Sequence, residues 1–393
     1  MKNYYLLIIM ALSTLTSCTE DTPVKKGTFE YDVDFLQTYQ ETILLKNNNS
    51  QVAVVPAYQG RIMTSTATGK NGKSYGWLNY DAISSEVVQD KINIYGGEDR
   101  FWLGPEGGQF SIFFENGADF TFENWKTPQQ IDTDIFKVVD QSTSSVSFLK
   151  EMKLTNYQGF PFHIEVRRKI NVFDRTQIEK NLNIDLSQLD IDFVGIESVN
   201  GLKNIGDQPW SKETGLLSIW ILGMLNPSDE TTIILPFKEA PNYNTYFGDV
   251  PSSNIAIKEQ SILLKADGKH RTKLGLPPVN TQPLAGSYDA SNNVLTVVQF
   301  SVGDETSYVN SLWEIQDEPF KGDVVNVYND GPLEDGSQLG PFYELESSSP
   351  AKELKVNEEI KHHHITYHFE GDKNDLNKIC LQLFNLKLDD IKI

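Results

Sequence analysis

The chain has 393 residues, with 54 acidic against 34 basic side chains and a net charge of −20. Such a surface repels phosphates and argues against nucleic acid as a partner. Two cysteines are too few for a disulfide framework.

The first 17 residues read as a signal peptide: Lys2 supplies the positive start, and residues 4–12 form an apolar run too short for a permanent span. Leu15-Thr16-Ser17-Cys18 then matches a lipobox, after which cleavage would leave Cys18 as a lipidated N-terminus. Acidic residues follow at Glu20 and Asp21, as in the surface-export tags of glycan-harvesting bacteria. The expected location is therefore the bacterial outer membrane, on its periplasmic or cell-surface face, with the lipid as the membrane contact. Residues 18–28 form a polar tether. No second linker, low-complexity stretch or internal repeat follows, so residues 29–393 read as a single domain.

That body is rich in strand signals. Residues 51–55, 111–114, 136–139, 163–170, 177–184, 216–222, 231–235, 294–300, 323–328 and 363–369 are β-branched, aromatic or alternating runs. Turn pairs punctuate them, with Asn-Gly at 116 and 200 and Asp-Gly at 267 and 335. So many strands at this spacing predict an all-β sandwich. One helix is expected near the end, where Asp372 can cap and Leu376, Ile379, Cys380 and Leu383 share a face. Cys380 reads as a small apolar packing residue there.

Several segments carry a resemblance. Residues 55–62 (Val-Pro-Ala-Tyr-Gln-Gly-Arg-Ile), Tyr95-Gly96-Gly97-Glu98, Gly159-Phe160-Pro161 with the run after it, and Phe342-Tyr343-Glu344-Leu345-Glu346 followed by Pro350 and a His-rich last strand fall in a fixed order. In that order they resemble the galactose mutarotase (aldose 1-epimerase) superfamily over most of residues 29–370. Residues 96–108, 285–289 and 328–332 look closer to an uncharacterised family of bacterial lipoproteins with that fold. The resemblance implies a galactose mutarotase-like supersandwich of two large antiparallel sheets, with a short C-terminal helix, whose concave face binds a carbohydrate. It also implies a Glu on the Leu-Glu strand as base, a position held by Glu346, and a His as acid. The His positions do not match: Tyr95 stands at the rim position, and residues 194–200 contain no His.

Ring opening of an aldose needs a base at the anomeric hydroxyl and an acid at the ring oxygen. Glu346 reads either as that base or as an acceptor for sugar hydroxyls. Glu344 lies on the same strand face, about 7 Å away, close enough for the two carboxyls to push their pKa values apart. Residues 96–108 hold Glu98, Arg100, Trp102 and Glu106 between glycine pairs. Together with Tyr95 and Arg61 they read as a candidate sugar site, Trp102 stacking on a pyranose and the charged groups binding hydroxyls, or else as an internal Arg–Glu network pinning the loop. His362, His364 and His368 share one strand face; the plain reading is a polar face rather than a zinc site. Asp330, Glu334 and Asp335 lie in an acidic loop without EF-hand spacing. Residues 269–273 (Lys-His-Arg-Thr-Lys) are a basic island that faces an anionic ligand such as a uronic acid or pairs with acidic neighbours. No cofactor motif and no metal ligand set is assigned. Three functions stay open: a sugar-active enzyme using Glu346, a carbohydrate-binding module, and a non-catalytic envelope structural protein.

Overall fold

The structure, a computed structural model, describes residues 24–303 and 305–393. The signal peptide, Cys18 and most of the tether lie outside the described residues.

Nineteen strands are described, in three antiparallel sheets. The largest has ten strands, in the order Ile255–Lys258, Ser261–Lys265, Thr231–Pro236, Leu284–Asp289, Val294–Phe300, Glu359–Gly371, Ile191–Asn204, Pro161–Val172, Ser145–Thr155 and Lys137–Gln141. The second has six, in the order Asn244–Thr245, Thr272–Leu276, Val325–Asn329, Tyr343–Ser348, Ser218–Leu225 and Arg100–Gly104. A three-stranded sheet, Ile43–Asn47, Ser50–Val55 and Arg61–Thr66, packs on the ten-stranded one, with Ile43, Leu45, Val52 and Val54 joining Val166, Ile170, Val194 and Ile196 in one apolar core. The ten- and six-stranded sheets pack face to face. Ile233, Leu235, Ile262, Leu264 and Val298 from one meet Leu274, Val325, Val327 and Leu345 from the other in a shared apolar layer.

Period-2 patterning explains why the long strands hold their register. Pro161–Val172 alternates a buried residue with an exposed or half-exposed one along its whole length. In Glu359–Gly371, Ile365, Tyr367 and Phe369 turn outward to meet Leu376, Ile379, Cys380 and Phe384 of the helix Lys373–Phe384. The expected C-terminal helix thus seals one sheet face, with Asp372 capping it. Burial pushes the Cys380 thiol up to about 12, which fits packing and not reactivity.

The structure corrects the sequence reading at three places. Residues 177–184 are not a strand: Arg175–Leu182 is a helix closed by a reciprocal capping box between Asp174 and Gln177. Ile178 and Leu182 fit a helix at i, i+4 as well as they fit alternation. Asn200-Gly201 is not a turn but the middle of strand Ile191–Asn204, where Asn200 accepts from Arg168 Nη1 at 2.6 Å. Residues 111–114 form an irregular buried segment whose Phe113 stacks on Trp125. The last-strand histidines share one polar face, as expected, and that face is buried: His362, His364 and His368 all lie between the sheets. A further helix, Phe29–Tyr39, packs Phe29, Val33 and Leu36 on the three-stranded sheet. Among the described residues no helix is long and apolar enough to cross a membrane.

Candidate functional site

The outer face of the six-stranded sheet carries a cavity of about 750 Å³. Alternation decides which side chains reach that face. Lys273 lies opposite Tyr328, and Tyr328 opposite Glu344. Asn326 lies opposite Glu346, Glu346 opposite Leu222, and Leu222 opposite Arg100. Ser348 is opposite Trp220, and Trp220 opposite Trp102. Their neighbours Leu274, Val327 and Leu345 point the other way, into the layer between sheets. Four strands therefore project Lys273, Asn326, Glu346 and Trp220 onto one face of the sheet.

Glu346 is fully buried and anchored twice. Lys273 Nζ straddles its carboxylate, 2.9 Å from Oε1 and 3.0 Å from Oε2, and Trp220 Nε1 donates to Oε2 at 2.9 Å. The ammonium also lies over the Trp220 ring, 4.9 Å from its centroid. Burial works against the Lys273 charge, but Glu346 and Glu344 more than offset it and hold the ammonium above its usual value. Beside it, Glu344 is driven well above the carboxylate range, first by burial and then by the neighbouring Glu346 charge.

Two further carboxyls reach the cavity from loops. Glu106 follows Gly104–Pro105 and accepts from Trp313 Nε1 at 3.2 Å; burial raises its carboxyl, opposed chiefly by Lys273. Asp323 accepts from Asn244 Nδ2 at 2.9 Å and from the Tyr246 hydroxyl, and burial raises it too. Gly275 makes room for it, since a Cβ there would lie 1.9 Å from Asp323 Oδ2. The rim is apolar: Phe247 and Phe122 are 46% and 59% exposed, and Leu333 and Leu339 stand beside the opening.

The structure separates the residues singled out in the sequence. Glu346 and Glu344 share the cavity-side face, and Glu106 lines the cavity. Arg100 and Trp102 share the sheet face but not the cavity. Arg100 is fully buried against Asp132 at 2.8 Å and over the Trp102 ring, and Trp102 is wedged between Phe113 and Trp220. Glu98 turns between the sheets to meet His368 Nε2 at 2.8 Å. Tyr95 stacks on Tyr58, and Arg61 donates to Gly96 O and Gln59 Oε1. Gly96 and Gly97 permit this close packing: both have positive φ, and a Cβ on Gly96 would lie 2.1 Å from Trp77 O. For Arg61, Tyr95, Glu98, Arg100 and Trp102 the internal network describes what they touch.

Trp220, Tyr246, Phe247, Trp313, Asp323 and Asn326 line the cavity without having been singled out in the sequence. A tryptophan amid the aliphatic run of Ser218–Leu225 is the signal that marks Trp220. Metal-like clusters do not assemble: no three His, Cys, Asp or Glu side chains converge among the described residues. Asp330 accepts from the Tyr328 hydroxyl and Gly340 N–H, whereas Asp335 caps Ser337.

Two large antiparallel sheets packed face to face, with a cavity on the outer face of one, give the chain a galactose mutarotase-like fold. The chain belongs to a family of unknown function, DUF6786, whose profile matches residues 27–393. Among curated proteins none matches. Solved structures share the fold. Slr1438 from Synechocystis sp. PCC 6803 is 13% identical with a TM-score of 0.51, the match covering 85% of this chain and 96% of that one. A putative aldose 1-epimerase from Escherichia coli K12 is 10% identical with a TM-score of 0.50, covering 84% and 99%. A galactose mutarotase-like protein from Lactobacillus casei ATCC 334 is 11% identical with a TM-score of 0.48, covering 84% and 99%.

Proposed function

We propose that the chain binds a carbohydrate in the cavity on the six-stranded sheet. The observation that carries this is the pairing of exposed aromatic rims, Phe247 and Phe122, with a floor of Lys273, Asp323 and Asn326, Lys273 being anchored by Glu346 beneath it. Aromatic faces stack on the apolar face of a pyranose, and a ring of donors and acceptors matches its hydroxyls. The fold supports the same reading only by analogy, since fold alone does not assign function. Titration of mono- and oligosaccharides into the protein, followed by tryptophan fluorescence and NMR line broadening, tests it. Binding that weakens about tenfold in Phe247→Ala, through loss of roughly 1 kcal/mol or more of stacking, supports the reading. No binding across a broad panel points instead to an envelope structural protein.

A second reading, epimerase-type catalysis, is favoured by one observation. Glu106 lines the cavity and is raised toward its protonated form, while Glu346 lies just beneath, in an ion pair with the cavity-lining Lys273, so an acid and a carboxylate flank one cavity wall. Glu346 would take the anomeric hydroxyl proton and Glu106 would give a proton to the ring oxygen, opening the ring without net proton change. NMR exchange between anomers tests this. Glu346→Gln and Glu106→Gln should each slow exchange by about 10²-fold or more, and an unchanged rate in both would sink it.

Anchoring through Cys18 in the outer membrane belongs to the same proposal, supported by the sequence of residues 1–18. Cys18→Ser should move the protein out of the membrane fraction; retention there would refute it.

A further inference from the structure

The basic island at residues 269–273 splits when its partners are traced. Lys269 Nζ lies 2.5 Å from Asp229 Oδ1 at the surface. His270 Nδ1 lies 3.0 Å from Asp267 Oδ1. Lys273 is taken by Glu346. Arg271 remains. It lines the cavity, and its guanidinium makes no ion pair or hydrogen bond among the described residues. Its contact is with a ring: Cζ sits 3.9 Å from the Phe247 centroid. A guanidinium stacked this way has one flat face covered and keeps its N–H edge directed in plane, the geometry that meets a carboxylate with two parallel hydrogen bonds.

The acidic groups of the cavity do not compete for that edge. Glu346 is neutralised by Lys273, and Asp330 accepts from the Tyr328 hydroxyl and Gly340 N–H. Asp323 is held by Asn244 and Tyr246, and Glu106 by Trp313. Burial pushes both of the last two carboxyls toward their neutral form. Each carboxylate thus has donors of its own, whereas the one cation at the rim aromatic has no acceptor. An uncompensated guanidinium beside a sugar-stacking ring is the group a neutral ligand would leave unused.

We infer that Arg271, held by Phe247, reads a carboxylate on the ligand, so that the cavity takes a uronic acid residue of a glycan. This rests on the carbohydrate reading above. It makes Arg271 a specificity-determining residue and assigns the ligand's charged substituent to the Phe247 rim, away from Glu346 and Glu106.

The test is calorimetric titration of the full chain with uronic acid trisaccharides, their carboxyl-reduced neutral counterparts, and sulfated neutral trisaccharides. The expected result is a preference of about tenfold or more for uronate over its carboxyl-reduced form, since a charge-assisted bidentate pair is stronger than a neutral hydrogen bond. Arg271→Gln should bring the two within about twofold of each other, and Arg271→Lys should restore part of the preference. A melt of each variant checks that the fold is kept. Equal affinities for uronate and neutral forms in the wild type overturn the inference while leaving carbohydrate binding intact. A uronate preference that survives in Arg271→Gln overturns the role of Arg271, and a preference for the sulfated ligand over the uronate overturns the assignment of a carboxylate. No binding of any saccharide overturns both this inference and the carbohydrate reading.

Discussion

Two polar clusters, one between the sheets and one on the cavity face, use the same kinds of residue for opposite ends. Between the sheets, Arg168 donates to Gly60 O at 3.0 Å, to Asn200 Oδ1 at 2.6 Å and to Asp99, whose other oxygen accepts from Ser198 Oγ at 2.7 Å. Ser347 Oγ touches both His362 Nε2 at 2.7 Å and His364 Nδ1 at 2.8 Å, and His368 bridges Thr296 and Glu98. Most groups in this layer have partners inside the protein, with Glu98 Oε1, His364 Nε2 and Thr366 Oγ1 left over. On the cavity face the pairing stops short: Arg271 faces a ring, and the Phe247 and Phe122 rings stand half in solvent. Burial with charges paired inside the protein marks a cluster that holds the fold, and an unpaired charge beside an opening marks one that awaits a ligand.

The sharpest way to break that contrast is Arg168→Ala. It removes three sets of hydrogen bonds and leaves Asp99 buried without its cation, which should cost about 3–5 kcal/mol. Urea unfolding measures it, and a loss below about 1 kcal/mol would show that the inter-sheet network is not what holds these two sheets in register.

Lys273→Met probes the other cluster. Glu346 has no solvent access, so removing its cation leaves a buried carboxylate uncompensated, with only Trp220 Nε1 still donating, and should cost about 3 kcal/mol. Its larger signature is functional: Glu346 loses the cation that holds it in place, and saccharide affinity should drop tenfold or more. Stability loss without any change in binding would move Lys273 from the site to the scaffold.

The same contrast explains what the sequence disclosed. The helix Lys373–Phe384 was readable because four apolar residues repeat at helical spacing behind an Asp cap. The helix Arg175–Leu182 was not, because in eight residues the spacing of Ile178 and Leu182 satisfies both periods. Glu346 was found through the Leu-Glu strand pattern, and its environment depends on Lys273, 73 residues away in the chain. Trp220 stayed hidden because every residue of Ser218–Leu225 is buried, so alternation does not tell the cavity side from the core side. Arg100 and Trp102 misled for the converse reason. Glycines and charges in one loop show that the backbone packs closely, but Asp132, 32 residues on, is what turns Arg100 into an internal ion pair.

Acid titration should separate the clusters by sign. Burial holds His362 down at about 3 and His364 at about 4, against an ordinary value of 6.5. Both are neutral in the fold, while the unfolded chain takes up protons first. Their contribution is present above pH 6.5 and lost as pH falls toward 4 and 3. Chemical unfolding at pH 7 and pH 5 should show stability falling with pH, and His364→Asn should flatten that slope. A slope unchanged in the variant would mean that other groups carry the acid sensitivity.

The raised carboxyls of the cavity face act in the opposite direction. Glu344 is lifted by burial and by the Glu346 charge, so its contribution is present below the ordinary carboxylate value of 4.5 and is lost as pH rises through its higher folded value. Glu344→Gln keeps the size and a donor while removing the ionisation that the Glu346 neighbour opposes. It should therefore be neutral or raise stability by less than about 1 kcal/mol at pH 8, with the gain shrinking toward pH 5 as the raised wild-type carboxyl takes up its proton. The comparison of two unfolding curves at those pH values measures it. A destabilisation that grows from pH 5 to pH 8 would show instead that Glu344 is needed as an anion, and would shift the charge balance of the floor away from the single Lys273–Glu346 pair.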